Sequence, residues 1–229
     1  MLRPWQRLMG RPPDAAPDAS VGGFWALADV SFDVRPGEAL GVLGHNGSGK
    51  STLLRILARV TSPTTGSVDV RGRVRALLEV GTGFHHELSG RENIYLSGAI
   101  LGMRRAEIRA NFDEIIALSG VERFLDLPVK RYSTGMALRL AFAVASHLQS
   151  DILLLDEILA VGDAAFQRSC LERVQQLVKQ GRTILIVSHD VFAVRALCPR
   201  AVLLEAGRVA HVGPTEQVIE RYSKSTLAA

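Results

Sequence analysis

With 229 residues, 47% of them hydrophobic and 22% charged, the chain can bury a core as one large domain or two small ones. Its net charge of +4 comes from dispersed lysines and arginines, so no basic tract is present to follow a nucleic-acid backbone. No apolar run approaches the ~18–20 residues that cross a bilayer, so any membrane role is expected to pass through a partner. Residues 1–5 run into arginine and proline rather than the apolar core of a secretory leader. Cys170 and Cys198 fall in helical patterns and read as buried thiols of a reducing compartment.

In chain order, residues 1–23 are rich in Pro, Arg, Gly and Ala and read as an arm with little regular structure. Residues 24–27 and 30–34 read as a strand, Arg35-Pro36-Gly37-Glu38 as a turn, and Ala39-Leu40-Gly41-Val42-Leu43 as a buried strand. The stretch that organises the rest comes next: Gly44-His45-Asn46-Gly47-Ser48-Gly49-Lys50-Ser51-Thr52, followed by a helical pattern over 53–58. This is a G-x-x-x-x-G-K-[ST] phosphate loop in the strand–loop–helix setting it requires. Its glycines let backbone N–H groups close around an anion, and the helix N-terminus adds its positive dipole end. Lys50 would reach the β and γ phosphates of a nucleoside triphosphate, and Ser51 would offer its hydroxyl to Mg²⁺.

Residues 67–72 read as a strand and turn, and residues 74–80 as an apolar strand. Residues 81–131 then change character, with amphipathic helices expected over 93–101 and 105–119: a helical insertion into an α/β frame. The pair His85-His86 lacks metal-ligand spacing and reads as a solvated loop. Tyr132-Ser133-Thr134-Gly135-Met136 opens a helix over 136–147 that is apolar on most sides, with Ser133 as an N-cap. Asp151-Ile152-Leu153-Leu154-Leu155-Asp156-Glu157 is a continuous apolar strand ending in two carboxylates, the pattern of a central parallel strand. Asp156 would hold Mg²⁺, and Glu157, pointing elsewhere, could polarise an attacking water. Residues 183–187 form a further buried strand closed by His189, placed to contact a γ-phosphate. Two short strands flank Ala206-Gly207 as a hairpin, and residues 214–223 read as a closing helix.

The order of phosphate loop, helical insertion, Ser-x-Gly helix start, Asp-Glu strand and strand-end histidine resembles the ATP-binding subunit of ABC transporters, over about residues 24–223. The resemblance implies an α/β phosphate-loop core with a mostly parallel sheet, an antiparallel β subdomain and a helical subdomain over about 81–147, all within an ATPase domain at 24–229. Ser133 and Gly135 stand in the family's signature motif, Ala160-Val161-Gly162-Asp163 in its D-loop and His189 at its switch histidine. No glutamine lies between residues 74 and 92, where the family carries a sensor; Glu79 is the nearest candidate. Gly81-Thr82-Gly83-Phe84-His85 and Gly90-Arg91-Glu92-Asn93-Ile94-Tyr95-Leu96 resemble one subfamily, the bacterial exporters of O-antigen, capsular polysaccharide or teichoic acid. That likeness implies ATP and Mg²⁺ as ligands, a head-to-tail ATP-sandwich dimer and a multi-span permease that makes most of the contact with the polysaccharide. It also implies a peripheral position on the cytoplasmic face of the inner membrane and no nucleic-acid partner. ATPases of drug or lipid exporters, and non-transport ABC ATPases, are the alternatives. The strand that carries an adenine-stacking aromatic in the family is not found before Phe24, which leaves Trp5, Phe24 and Trp25 as candidates.

Overall fold

A computed structural model describes residues 24–77, 83–156 and 163–227. The chain divides into two compact units, one of Met1–Ala76, Asp151–Glu157 and Val178–Ala229, the other of Leu77–Ser150 and Ile158–Leu177.

The first unit is built on a six-stranded sheet of order β2-β3-β4-β1-β5-β6. The strands are β1 (Ala39–Leu43), β2 (Val74–Leu77), β3 (Ile152–Asp156), β4 (Thr183–Val187), β5 (Arg200–Glu205) and β6 (Arg208–Pro214). The uninterrupted apolar runs become the middle of the sheet. β1 is buried at all five positions and pairs in parallel with β4 on one side and β5 on the other, and β3 pairs in parallel with β4. A strand buried on both faces has no polar side to present, so it shows no alternation. β5 and β6 pair antiparallel through Ala206 and Gly207, both at positive φ (46° and 75°), the backbone a two-residue hairpin turn needs. Helices α1 (Lys50–Leu57), α7 (Val191–Leu197) and α8 (Thr215–Leu227) belong to this unit. At the start of the strands, the Arg200 guanidinium bonds both oxygens of the nearly buried Glu38 carboxylate at 3.0 Å.

The second unit holds α2 (Gly90–Ile100), α3 (Arg105–Ala110), α4 (Phe112–Ser119), α5 (Thr134–Ser146) and most of α6 (Ala164–Lys179). Ser89 and Glu92 close a capping box on α2. Asn93 is fully buried: its amide donates to the carbonyls of His85, Leu88 and Ser89, and its Oδ1 accepts from His85 N. The loop that carries His85 is thereby pinned by an asparagine. From Leu140 to Ser146 every residue of α5 is buried, as its all-round apolar pattern requires. Phe142 meets Phe166 of α6 edge-on, with ring centroids 5.9 Å apart.

Two expectations are corrected. Residues 24–34 and 67–72 form no strand; Ala28 N donates to Gly207 O, and the antiparallel pairing is the β5–β6 hairpin. Alternation fits a segment for a sheet, but a strand exists only where a neighbour offers a ladder. The helix expected over 105–119 is two helices that break at Asn111, whose side chain turns back to Glu107 O at 2.7 Å.

Candidate functional site

β1 delivers the chain into the phosphate loop, whose shape follows from close backbone contacts. A Cβ on Gly44 would lie 2.4 Å from Leu204 O and from Ser48 Oγ; one on Gly49, at φ 102°, would lie 2.6 Å from Ala26 O. Gly207 N donates to Ser48 O at 3.0 Å, tying the loop to the hairpin. Lys50 is buried, and its ammonium donates to Gly44 O at 2.7 Å and His45 O at 2.9 Å, so it lies across the loop. The Ser48 hydroxyl is buried with no hydrogen-bond partner among the described residues. Gly49 caps α1 without a side-chain bond, and the helix has no acidic residue in its first turn. Orphan amides, an orphan hydroxyl, a lysine and a positive helix end gather where an anion would sit.

The parallel register brings three strand ends to one edge. Val187 of β4 faces both Val42 of β1 and Asp156 of β3. Asp156 therefore stands level with Val42 two strands away, about 10 Å at ordinary strand spacing. Ser188 N extends the β4 ladder to Val42 O at 3.1 Å, which leaves exposed His189 beside the strand that feeds the loop. The carboxyl edge of a parallel sheet is where such folds bind ligands. Ser51 is exposed and Asp156 half-buried, a hydroxyl and a carboxylate of the hard type Mg²⁺ prefers. No group of three or more His, Cys, Asp or Glu gathers among the described residues.

In the second unit, Ser133 Oγ accepts from Met136 N at 3.2 Å and caps α5. Asp163 caps α6, accepting from Phe166 N at 2.9 Å, and pairs with Arg139 at 2.5 Å. The Phe166 N–H and then the Arg139 guanidinium hold its carboxyl below the usual range. Carboxylates serve the other helices in the same way. Glu92 stands in the first turn of α2, Glu107 of α3, Asp113 and Glu114 of α4 and Glu216 of α8, while Asp163 caps α6 and Asp190 caps α7. Among the described α-helices, α1 and α5 alone begin with no acid at the cap or first turn. Glu79, Glu157, Trp5 and residues 160–162 lie outside the described residues, as does the arm at 1–23. Phe24 is 84% exposed and Trp25 half-buried. Sequence reasoning missed the partner of His45: its ring stacks on Tyr222 of α8 at 4.7 Å, a contact between distant parts of the chain that no motif announces.

Loop, strand edge and bare helix start define a phosphate-loop nucleotide-binding protein. Residues 27–160 match the model of the ABC transporter family. The ABC transporter protein AbcA of Aeromonas salmonicida is 47% identical over 221 residues, which cover 96% of this chain and 71% of that protein. The O-antigen export system ATP-binding protein RfbB of Klebsiella pneumoniae is 46% identical over 202 residues, 88% of this chain and 82% of that one. The chain spans 48% of the protein of the same name from Myxococcus xanthus. A solved ATP-binding subunit of an ABC transporter shares the fold, with a TM-score of 0.76, 24% identity and coverage of 86% of this chain and 87% of that one. This chain belongs to the ABC transporter family and carries its ATPase domain.

Proposed function

We propose that this chain is the ATP-hydrolysing subunit that powers export of a cell-surface polysaccharide through a partner membrane permease. The names of its relatives, O-antigen export ATP-binding proteins among them, support the cargo class. Among the described residues no helix is long and apolar enough to cross a membrane, which fits a peripheral subunit at the cytoplasmic face.

One observation carries the mechanism: two helices, α1 and α5, present uncompensated N-termini. The first opens from the phosphate loop. The second opens at Ser133 and Gly135, where Ser133 and Thr134 are exposed and, among the described residues, a Cβ on Gly135 would meet nothing nearer than Ser133 Oγ at 3.8 Å. An anion reached by both starts is favoured by two dipole ends. In a head-to-tail dimer, ATP lies on the loop of one copy (Gly44, His45, Asn46, Gly47, Ser48, Gly49, Lys50, Ser51 and Thr52) and meets Ser133 and Gly135 of the other. Lys50 leaves its two loop carbonyls for the β and γ phosphates. Ser51 and Asp156 hold Mg²⁺, which when bound offsets phosphate charge. Glu157 takes the proton of the water that attacks the γ-phosphorus; ADP departs with the broken bond's electrons, and His189 bonds the γ-phosphate oxygens. Asp163 takes the D-loop position, Glu79 takes the sensor position, and the helical insertion receives the permease.

The test is Glu157→Gln with ATP and Mg²⁺. A stable dimer by light scattering with turnover reduced at least about a hundredfold is expected. A protein that stays monomeric under these conditions refutes the ATP sandwich. Deleting the gene is expected to remove long-chain surface glycan; intact glycan refutes the cargo.

A further inference from the structure

The phosphate loop has two shoulders. Backbone packing fixes one: Gly44 lies against Leu204 O, Gly49 against Ala26 O, and Ser48 O accepts from Gly207 N. The other, His45-Asn46-Gly47, faces outward. Asn46 and Gly47 are exposed, and among the described residues a Cβ on Gly47 would meet no atom within 4 Å. On this shoulder the His45 ring lies on the Tyr222 ring, centroids 4.7 Å apart and planes inclined by 28°. His45 Nε2 is 3.3 Å from Ser225 Oγ. That hydroxyl donates to Tyr222 O at 2.9 Å, so it is left to accept from an Nε2–H.

Helix α8 is a firm post for this contact. Val218 is fully buried and Ile219 nearly so, and Thr215 Oγ1 bonds Cys198 O at 2.5 Å where the helix begins. Tyr222 follows Ile219 by three residues, on the neighbouring face of the next turn. The carbonyl of His45 accepts from Ser48 N at 3.1 Å and from Lys50 Nζ at 2.9 Å. The residue whose ring is tethered to α8 thus also holds the turn of the loop and the resting position of its lysine.

We infer that the His45–Tyr222 stack braces the outer shoulder of the phosphate loop, making Tyr222 and Ser225 positioning residues for the triphosphate. A cradle already in shape spares the ligand the cost of ordering it. The brace therefore acts on nucleotide binding more than on the chemical step. Linkage runs both ways: nucleotide on the loop steadies α8, and whatever displaces α8 weakens nucleotide. This rests on the reading that ATP sits on Gly44–Thr52.

The experiment is steady-state ATP hydrolysis and amide exchange with the full chain. Tyr222→Ala is expected to raise KM for ATP about three- to tenfold, the factor an aromatic stack carries, with kcat within about twofold. Tyr222→Phe, which keeps the ring, is expected to restore KM. Amide exchange over residues 217–225 is expected to slow with ATP in the wild type and not in Tyr222→Ala. An unchanged KM in Tyr222→Ala, or a Phe variant as poor as the Ala variant, overturns the brace. If Tyr222→Ala does not fold, Tyr222→Leu takes its place: it fills the space but cannot stack and is expected to raise KM about threefold, and an unchanged KM again overturns the brace. A wild type that binds no ATP overturns the underlying reading as well, and so is told apart from a wild type that binds ATP no better than Tyr222→Ala.

Discussion

The two helices that begin without a carboxylate are bare for different reasons. At α1 the chain explains its own glycines: Gly44 and Gly49 sit where a side chain would strike backbone oxygens of Leu204 and Ala26. At α5 it does not. Gly135 has no positive φ and, among the described residues, touches nothing that a methyl group would displace. A glycine that internal packing demands is a folding residue as well as a binding one. A glycine with open space around it is explained by something that approaches from outside. Substitution at the two sites separates these cases.

The largest effect is expected at Gly44→Ala. The backbone carbonyl 2.4 Å from the new Cβ cannot yield as a side-chain tip would, so the loop must shift. ATP binding should fall by more than about tenfold, with a stability loss of about 1–3 kcal/mol from overpacking. Wild-type binding would mean the loop is not the cradle. Gly135→Ala is expected to do the reverse: a thermal midpoint equal to or above wild type, since alanine suits a helix better, with turnover down at least about tenfold. Unchanged turnover would make Gly135 mere filler and leave α5 no role at the phosphate.

The contrast also accounts for what the sequence discloses. The loop and the strands beside it are legible because both signals are local: near-continuous apolar runs at β1, β3 and β4, then a fixed glycine spacing. Ser133 as a cap is legible for the same reason, and the Ser89–Glu92 box was open to the same reading. What stayed hidden depends on distant partners. Residues 30–34 alternate as well as any strand, yet among the described residues no neighbour gives them a strand ladder. The break at Asn111 turns on one side chain bonding back to Glu107 O, which helical periodicity does not register. The Tyr222 contact depends on where α8 returns in space.

A smaller effect, confined to stability, checks that binding losses at the loop are not general loosening. Glu38 and Arg200 stand at the opposite end of β1 and β5 from the loop, the carboxylate nearly buried and bonded twice at 3.0 Å. Glu38→Ala removes both 3.0 Å hydrogen bonds of a guanidinium that is 20% exposed and leaves it only the longer pair with Asp33 at 3.9 Å. A loss of about 3 kcal/mol in urea unfolding is expected, with KM for ATP unchanged. A raised KM would show that the loop feels stability at a distance, and the Gly44→Ala result would lose its meaning.

The smallest effect lies at the other end of α5, where the helix dipole and burial pull against each other. His147 caps its C-terminus, a place that favours a cation, and its Nε2 is 3.2 Å from Glu114 Oε2. Its side chain is 2% exposed, Arg173 stands nearby, and Nδ1 pairs with Ala143 O at 2.7 Å. Burial outweighs the two hydrogen bonds, so the imidazole titrates below its ordinary value. The unfolded chain, with an ordinary histidine near 6.5, then binds more protons than the folded one in the window just below that pH. Stability is whole above about pH 6.5 and declines as pH falls toward the folded value. The wild type should therefore lose more stability between pH 7.5 and 5.5 than His147→Asn does, read as the shift in urea midpoint. Equal losses would mean that the Glu114 carboxylate and the helix dipole hold the proton on His147, and that the end of α5 is as open to a favourable charge as its beginning.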